Sequence, residues 1–125
     1  MKSLRIFIDT PYDETPDVSW LEQTPAQLGS LAAAVANRRR LNAYNRNEWW
    51  LIGARLAAEI TLDSGTVLVL TSPGVWGIES DASAEYIKSA ALDNDTLDFV
   101  HDLTDLGFTA KEIAVALEDV ALSGS

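Results

Sequence analysis

Cysteine is absent from the 125-residue sequence, and histidine occurs once, as His101. Without thiols the chain has no disulfides, thiolate-metal sites or cysteine nucleophiles. A single histidine with no recognisable serine nucleophile beside it is more often structural or solvated than catalytic. The glycines form neither a G-x-G-x-x-G nor a G-x-x-x-x-G-K motif, so nucleotide binding has no support. We therefore expect a protein that is not an enzyme and that holds no metal and no cofactor.

Long apolar runs are also missing. No stretch approaches the ~20 apolar residues that a membrane-spanning helix needs. The segment from Met1 to Glu14 turns acidic early and lacks the apolar centre of a signal peptide. We expect a cytoplasmic protein without membrane contact, and a chain of this length with 47% hydrophobic residues suits a single domain.

Basic residues are scarce, and the excess of acid is concentrated near the C-terminus. The chain has 9 basic and 19 acidic residues, for a net charge of −10. Residues 79–125 alone contain eleven acidic residues and two lysines. Direct binding to nucleic acid or to an anionic membrane requires a cationic surface, so both are disfavoured. A basic protein surface is the partner that this charge favours. The oligomeric state does not follow from these patterns.

Alternating hydrophobicity is strongest between Trp49 and Leu62, where every even position is apolar. A period of two predicts a half-buried strand. Because the segment is longer than an ordinary strand, we expect a bend or β-bulge, with Gly53 the favoured position.

Asp63-Ser64-Gly65 separates this strand from the second strand of a β-hairpin. In a three-residue loop, with Gly65 at positive φ, Leu68 falls on the face of Ile60. In a two-residue loop Val67 takes that place. We favour the three-residue loop.

These patterns predict an α+β fold with a small antiparallel sheet. The sheet consists of the β-hairpin at 49–71 and a short N-terminal strand at 4–8, and three to four helices pack against it. In chain order, the single domain 1–125 divides into a strand at 1–9, an acidic loop at 10–23, a helix at 24–46, the hairpin at 49–72, a turn and joint at 73–81, a helix or broken helix at 82–106, and a last helix at 110–122.

Two of the predicted helices carry specific expectations. The helix at 24–46 begins with a threonine-proline pair, which is typical of a capped N-terminus. Its buried side is expected to contain Leu28, Leu31, Val35 and Leu41. The helix at 82–106 is expected to break or kink near Asp93–Asp95, where three poor helix formers are adjacent.

Arg38–Arg40 is the only basic cluster. Three consecutive helical residues point in directions 100° apart, or about 200° from the first to the third, so they do not form one flat patch. We expect solvated arginines that counter the acidic C-terminal part, and the alternative is a contact with an anion or a partner.

Four aspartates of the helix at 82–106 are spaced i, i+3, i+7 and i+10, namely Asp95, Asp98, Asp102 and Asp105. This spacing predicts an acidic face separate from the apolar face of Phe99, Leu103 and Leu106. A row of carboxylates can imitate phosphates in front of a basic groove.

Further candidates lie upstream. Glu79, Asp81 and Glu85 stand where carboxylates favour the start of a helix, and the alternative is a catalytic carboxylate pair.

Trp49 and Trp50 must face opposite sides of their strand, so one belongs to the core and the other is covered by a helix or forms an exposed anchor. The partner-binding candidates are Trp49, Glu79, Asp81, Glu85, Asp95, Asp98, Asp102 and Asp105.

The segment Ser72–Asp81, SPGVWGIESD, is followed by Glu85-Tyr86-Ile87 and later by Leu106-Gly107-Phe108. Together these residues resemble a family of small proteins from phages, plasmids and other mobile elements. Members of that family have S-G-G-L-W-G-I-E-S-D followed by a tyrosine-containing acidic helix that ends in L-G-F. The resemblance covers roughly residues 17–108. It implies a mobile-element origin and no particular activity.

From the resemblance and the acidity we form one leading hypothesis. The protein would be an acidic, non-enzymatic inhibitor of a host nucleic-acid-directed defence factor, comparable to anti-CRISPR or anti-restriction proteins. It could act as a DNA mimic. The alternatives are a small enzyme that uses carboxylates or a divalent metal, and a structural or oligomeric accessory protein.

Overall fold

A computed structural model describes residues 3–123 of the chain. The secondary structure in chain order is β1 (Ser3–Asp9), a 3-10 helix (Ser19–Glu22), α1 (Pro25–Leu28), α2 (Leu31–Asn45), β2 (Leu51–Thr61), β3 (Val67–Thr71), β4 (Val75–Glu79), α3 (Ala84–Asp105) and α4 (Ala110–Glu118). The architecture is α+β with an open antiparallel sheet packed against helices, so the predicted fold class is confirmed. The sheet has four strands rather than three, because Val75–Glu79 pairs with β2.

β2 is the central strand of the sheet. β1 lies along one side of it, while β3 and β4 follow each other along the other side. A register shift separates Ile52 from Ala54, which confirms the predicted irregularity at Gly53. The extra residue belongs to β4, since Ile52 pairs with Ile78 but Ala54 pairs with Val75.

The hairpin between β2 and β3 has the three-residue loop that we favoured. Leu68 pairs with Ile60, and Leu62 N–H donates to Thr66 O at 2.9 Å. Gly65 has φ +87°, a left-handed conformation that glycine adopts without steric cost.

The main core lies between the even-numbered face of β2 and helices α3 and α4. α3 contributes a row of buried residues at every fourth position, namely Ile87, Ala91, Asp95, Phe99 and Leu103. A second, smaller cluster of Leu21, Leu41, Trp49 and Leu51 attaches α2 and the 3-10 helix to the other side of the sheet.

The expected break in the helix at 82–106 is wrong. α3 is continuous over 22 residues. Asp95, in the segment where the break was expected, directs its carboxylate into the core and accepts hydrogen bonds from Ser72 and Gly74. A side chain held by that tertiary contact does not cap a new helix, so the helix passes through Asp93–Asp95 without interruption.

The expected single helix at 24–46 is also wrong. Gly29, with φ +69°, ends α1, and Ser30 caps α2 by accepting from Ala33 N–H at 3.1 Å. Leu31 and Val35 are exposed, because α2 packs mainly against α1 and the 3-10 helix rather than across the sheet. The last helix ends at Glu118, earlier than predicted.

Candidate functional site

Arg40 on α2 joins the segment 79–81 to the rest of the molecule. Its guanidinium donates to both carboxylate oxygens of Asp81, at 2.8 and 2.6 Å. Its Nε donates to Glu79 Oε1 at 3.1 Å. A forked arginine–carboxylate contact of this kind combines charge with fixed geometry. Arg40 therefore counters acidic residues near the start of the C-terminal part, as expected for the basic cluster. Arg38 and Arg39 are exposed.

The side chain of Trp49 lies directly beneath Arg40. The Arg40 Cζ is 3.9 Å from the centroid of the Trp49 ring, a cation–π distance. The Trp49 indole N–H also donates to the Arg40 carbonyl oxygen at 3.0 Å. Trp49 is 1% exposed, so its prediction as an exposed partner anchor is wrong. The exposed member of the pair is Trp50, which lies against Tyr12 with ring centroids 5.9 Å apart.

The contact between Arg40 and Asp81 shifts the pKa of both groups in the direction that favours their charged forms. The hydrogen bond from Arg40 lowers the pKa of the Asp81 carboxyl below its ordinary value. The hydrogen bond to Asp81 in turn raises the pKa of the Arg40 guanidinium. Both groups therefore stay charged, and Asp81 serves to fasten α2 to the segment before α3.

Three of the predicted aspartates form one exposed face of α3, namely Asp98, Asp102 and Asp105. They span about 10 Å of helix at 1.5 Å per residue, and we call them the aspartate stripe. Within residues 3–123, Asp98 and Asp102 form no ion pair, and Asp105 Oδ2 lies 3.4 Å from His101 Nδ1. Glu85 is exposed in the first turn of α3, about 20 Å along the helix from Asp98.

Asp95 does not belong to the aspartate stripe, and its prediction as part of an exposed face is wrong. It is 3% exposed, and its Oδ2 accepts from Ser72 Oγ and, at 2.9 Å, from Gly74 N–H. Asn94 Nδ2 donates to the other oxygen at 2.7 Å. The physical reason is the spacing of the buried row: Asp95 lies one helical turn before Phe99 and shares its face.

An aromatic cleft was not predicted. Trp20, Trp76 and Tyr86, all exposed, line a depression of about 550 Å³ beside Glu79. The four tryptophans of the sequence are the only local indication of such a cleft. The sequence does not show that Trp20 lies beside β4, because that contact depends on the tertiary fold.

Within residues 3–123, no group of three or more histidine, aspartate or glutamate side chains is arranged to hold a metal ion. In that same range no helix is long and apolar enough to cross a membrane. Comparisons with protein-family models, with curated proteins and with solved structures each return no match. The resemblance of SPGVWGIESD to mobile-element proteins therefore stays a prediction.

Proposed function

We propose that this protein is a non-enzymatic binding protein of a mobile element. It acts in the host cytoplasm and covers the basic surface of a nucleic-acid-directed defence factor, in place of the nucleic acid. The observation that carries the proposal is the aspartate stripe, whose three carboxylates share one exposed face of α3.

The spacing of the aspartate stripe suits a phosphate-binding surface. Each strand of B-DNA carries one charge per ~3.4 Å of helix axis. Asp98, Asp102 and Asp105 follow one another at an average of ~5 Å along the axis of α3. The stripe is therefore a row of negative charges with a spacing of the same order as that of one phosphate strand, and somewhat wider.

The charge of the stripe is weakly countered from within α3. Lys88 is the only lysine or arginine of that helix and lies about 15 Å before Asp98. This separation exceeds the Debye length of ~8 Å at physiological ionic strength. A basic partner surface would therefore meet carboxylates that no lysine or arginine of α3 offsets.

α3 also holds the stripe in a fixed position. Its opposite face is anchored in the core at every fourth residue, and Asp95 ties the middle of the helix to the turn after β3. A surface that is ordered before binding loses little conformational entropy on association. Glu79 and Asp81 are hydrogen-bonded to Arg40. The proposed contact is therefore limited to the aspartate stripe and does not include all eight partner-binding candidates predicted from the sequence.

A capture experiment with two triple variants tests this function. The test variant carries Asp98→Asn, Asp102→Asn and Asp105→Asn. The control carries Glu14→Gln, Glu22→Gln and Glu118→Gln, which removes the same charge from exposed positions elsewhere. Tagged proteins are used to capture partners from bacterial host lysate at a series of salt concentrations.

The proposal expects the wild type and the control to capture the same nucleic-acid-binding protein. Capture should weaken steeply with salt, because the contact is between opposite charges, and the stripe variant should lose it. Capture that is equal for all three proteins, or no capture at any salt concentration, contradicts the proposal.

A further inference from the structure

The aromatic cleft brings together rings from three separate elements. Trp20 belongs to the 3-10 helix, Trp76 to β4 and Tyr86 to α3, and all three side chains are exposed. Among residues 3–123, none of these three rings stacks on another ring. Ring surface is therefore free to contact a ligand, and the depression of about 550 Å³ is within the size range of small binding sites.

Trp76 is held in a fixed orientation. A Cβ atom on Gly53 would lie 2.6, 2.7 and 2.9 Å from three adjacent carbons of the six-membered ring, so one face of the ring lies on Gly53. The indole N–H donates to Pro73 O at 2.9 Å. Because the N–H group is already used, the ring offers a ligand its outer face, which carries the negative part of the aromatic quadrupole. A ring that is ordered before binding loses little conformational entropy on association.

The charge around the cleft favours a cation. Glu79 lines the cleft, and its Oε1 accepts from Arg40, whereas no donor within residues 3–123 reaches its Oε2. None of the described residues that line the cleft is a lysine, an arginine or a histidine. Aromatic faces, a carboxylate oxygen and a net charge of −10 all attract positive charge and disfavour an anion.

Arg40 shows which cation such surroundings hold within this protein. Its Cζ lies 3.9 Å from the centroid of the Trp49 ring, and its Nε donates to Glu79 Oε1 at 3.1 Å. A tryptophan face and a carboxylate oxygen thus hold one guanidinium group. The aromatic cleft offers the same two kinds of contact, with the face of Trp76 and the second oxygen of Glu79.

A second arginine repeats this arrangement. Arg5 Cζ lies 4.8 Å from the centroid of the Phe7 ring, and Arg5 Nη1 donates to Glu59 Oε2 at 3.4 Å. A guanidinium suits both contacts because it is planar, stacks on aromatic faces and is more weakly hydrated than an ammonium group. An arginine side chain is therefore the cation that fits the aromatic cleft.

We propose that the aromatic cleft binds an arginine side chain from the surface of a partner protein. The guanidinium lies against the outer face of Trp76 and within reach of the Glu79 carboxylate. A side chain fits better than free arginine, because none of the described lining residues is a cation that could bind the carboxylate of the free amino acid. The cleft does not include the aspartate stripe, so this contact and the proposed function stand or fall separately.

NMR titration of the purified protein with short peptides tests the site. The peptides are acetyl-Gly-Arg-Gly-amide and the same peptide with citrulline or lysine in place of arginine. Citrulline keeps the shape of the arginine side chain but carries no charge. The arginine peptide should shift the indole N–H resonances of Trp20 and Trp76 and leave that of Trp50, which lies outside the cleft, in place. The citrulline peptide should cause no shift, and the lysine peptide should bind more weakly than the arginine peptide.

Variants of the cleft locate the binding site. Trp20→Ala, Tyr86→Ala and Glu79→Gln should each weaken binding of the arginine peptide by about fivefold or more. Trp50→Ala is the matched control, because Trp50 is 42% exposed and Trp20 is 44% exposed, and binding should be unchanged. Circular dichroism checks that each variant is folded, and Arg40 keeps its forked contact with Asp81 in Glu79→Gln.

Several results would overturn the proposal. Equal shifts with the citrulline peptide, or equal binding of the lysine peptide, would mean that the cleft does not recognise a guanidinium group. Tighter binding of free arginine than of the arginine peptide would assign the cleft to the amino acid instead of a partner protein. The proposal also fails if the arginine peptide shifts neither Trp20 nor Trp76 at any concentration, or if Trp50→Ala weakens binding as much as Trp20→Ala does.

Discussion

The hydroxyl of Ser72 donates a hydrogen bond to the carboxylate of Asp95, and both side chains are buried. The same hydroxyl accepts from Leu56 N–H at 2.9 Å. Ser72 thus links the central strand, the turn after β3 and the middle of α3. This connection positions α3, and with it the aspartate stripe.

Replacing Asp95 should destabilise the fold. Asp95→Ala leaves Ser72 Oγ–H and Gly74 N–H without their acceptor, and we expect a loss of roughly 3 kcal/mol in the free energy of unfolding. Asp98→Ala removes an exposed aspartate of the same helix and should change stability by less than about 0.5 kcal/mol. Urea denaturation measures both. Equal losses of stability for the two substitutions would show that the buried hydrogen bonds of Asp95 do not stabilise the fold.

Trp76 and Gly53 form a second close contact. A Cβ atom on Gly53 would lie 2.6 Å from a ring carbon of Trp76, so Gly53→Ala should displace the indole. We expect a destabilisation of about 1–3 kcal/mol and a shift of the Trp76 indole N–H resonance, because its hydrogen bond to Pro73 O is disturbed.

The Trp76→Ala background provides the control for this contact. Without the ring, Gly53→Ala should cost much less than it does in the wild type. An equal cost in both backgrounds would mean that the strain comes from the backbone of β2 rather than from the indole.

The contact between Asp81 and Arg40 predicts a dependence on pH. The pKa of Asp81 is lowered in the folded protein, so its stabilising contribution is present above the ordinary pKa of aspartate and is lost as the pH falls through the lowered value. Asp81→Asn should reduce stability by at most about 1 kcal/mol near neutral pH, since the side chain is half exposed, and the difference from wild type should shrink below about pH 4.

Arg40→Ala tests the assignment of this effect. In the Arg40→Ala background, Asp81→Asn should have only the weak hydrogen bond from its own backbone to remove, and most of the pH-dependent difference should be lost. Thermal unfolding across the pH series measures all four proteins. A difference that persists in the Arg40→Ala background would assign the effect to another neighbour of Asp81.

Local features of the fold followed from the sequence, and long-range contacts did not. The register irregularity beside Gly53 and the loop at 63–65 were predictable because period-two hydrophobicity and glycine act over a few residues. The split at Gly29–Ser30 also had a local signal, since glycine ends helices and serine begins them.

The candidate site depended on tertiary contacts. The spacing of Asp95 matches both the aspartates and the buried residues of α3, and only the contact with Ser72 decides between the two faces. The burial of Trp49 and the engagement of Asp81 likewise depend on Arg40, which is distant in sequence from Asp81. Asp98, Asp102 and Asp105 were predicted correctly as exposed because no core residue competes for their face.

The most direct test of the central claim is a competition experiment with the protein captured from host lysate. Labelled duplex DNA is bound to that protein, and displacement of the DNA is followed by fluorescence anisotropy at low and moderate salt. We expect the wild type and the Glu14→Gln, Glu22→Gln, Glu118→Gln control to displace the DNA, while the Asp98→Asn, Asp102→Asn, Asp105→Asn variant requires at least tenfold higher concentrations. Equal displacement by all three proteins, or binding that leaves the DNA in place, would contradict it.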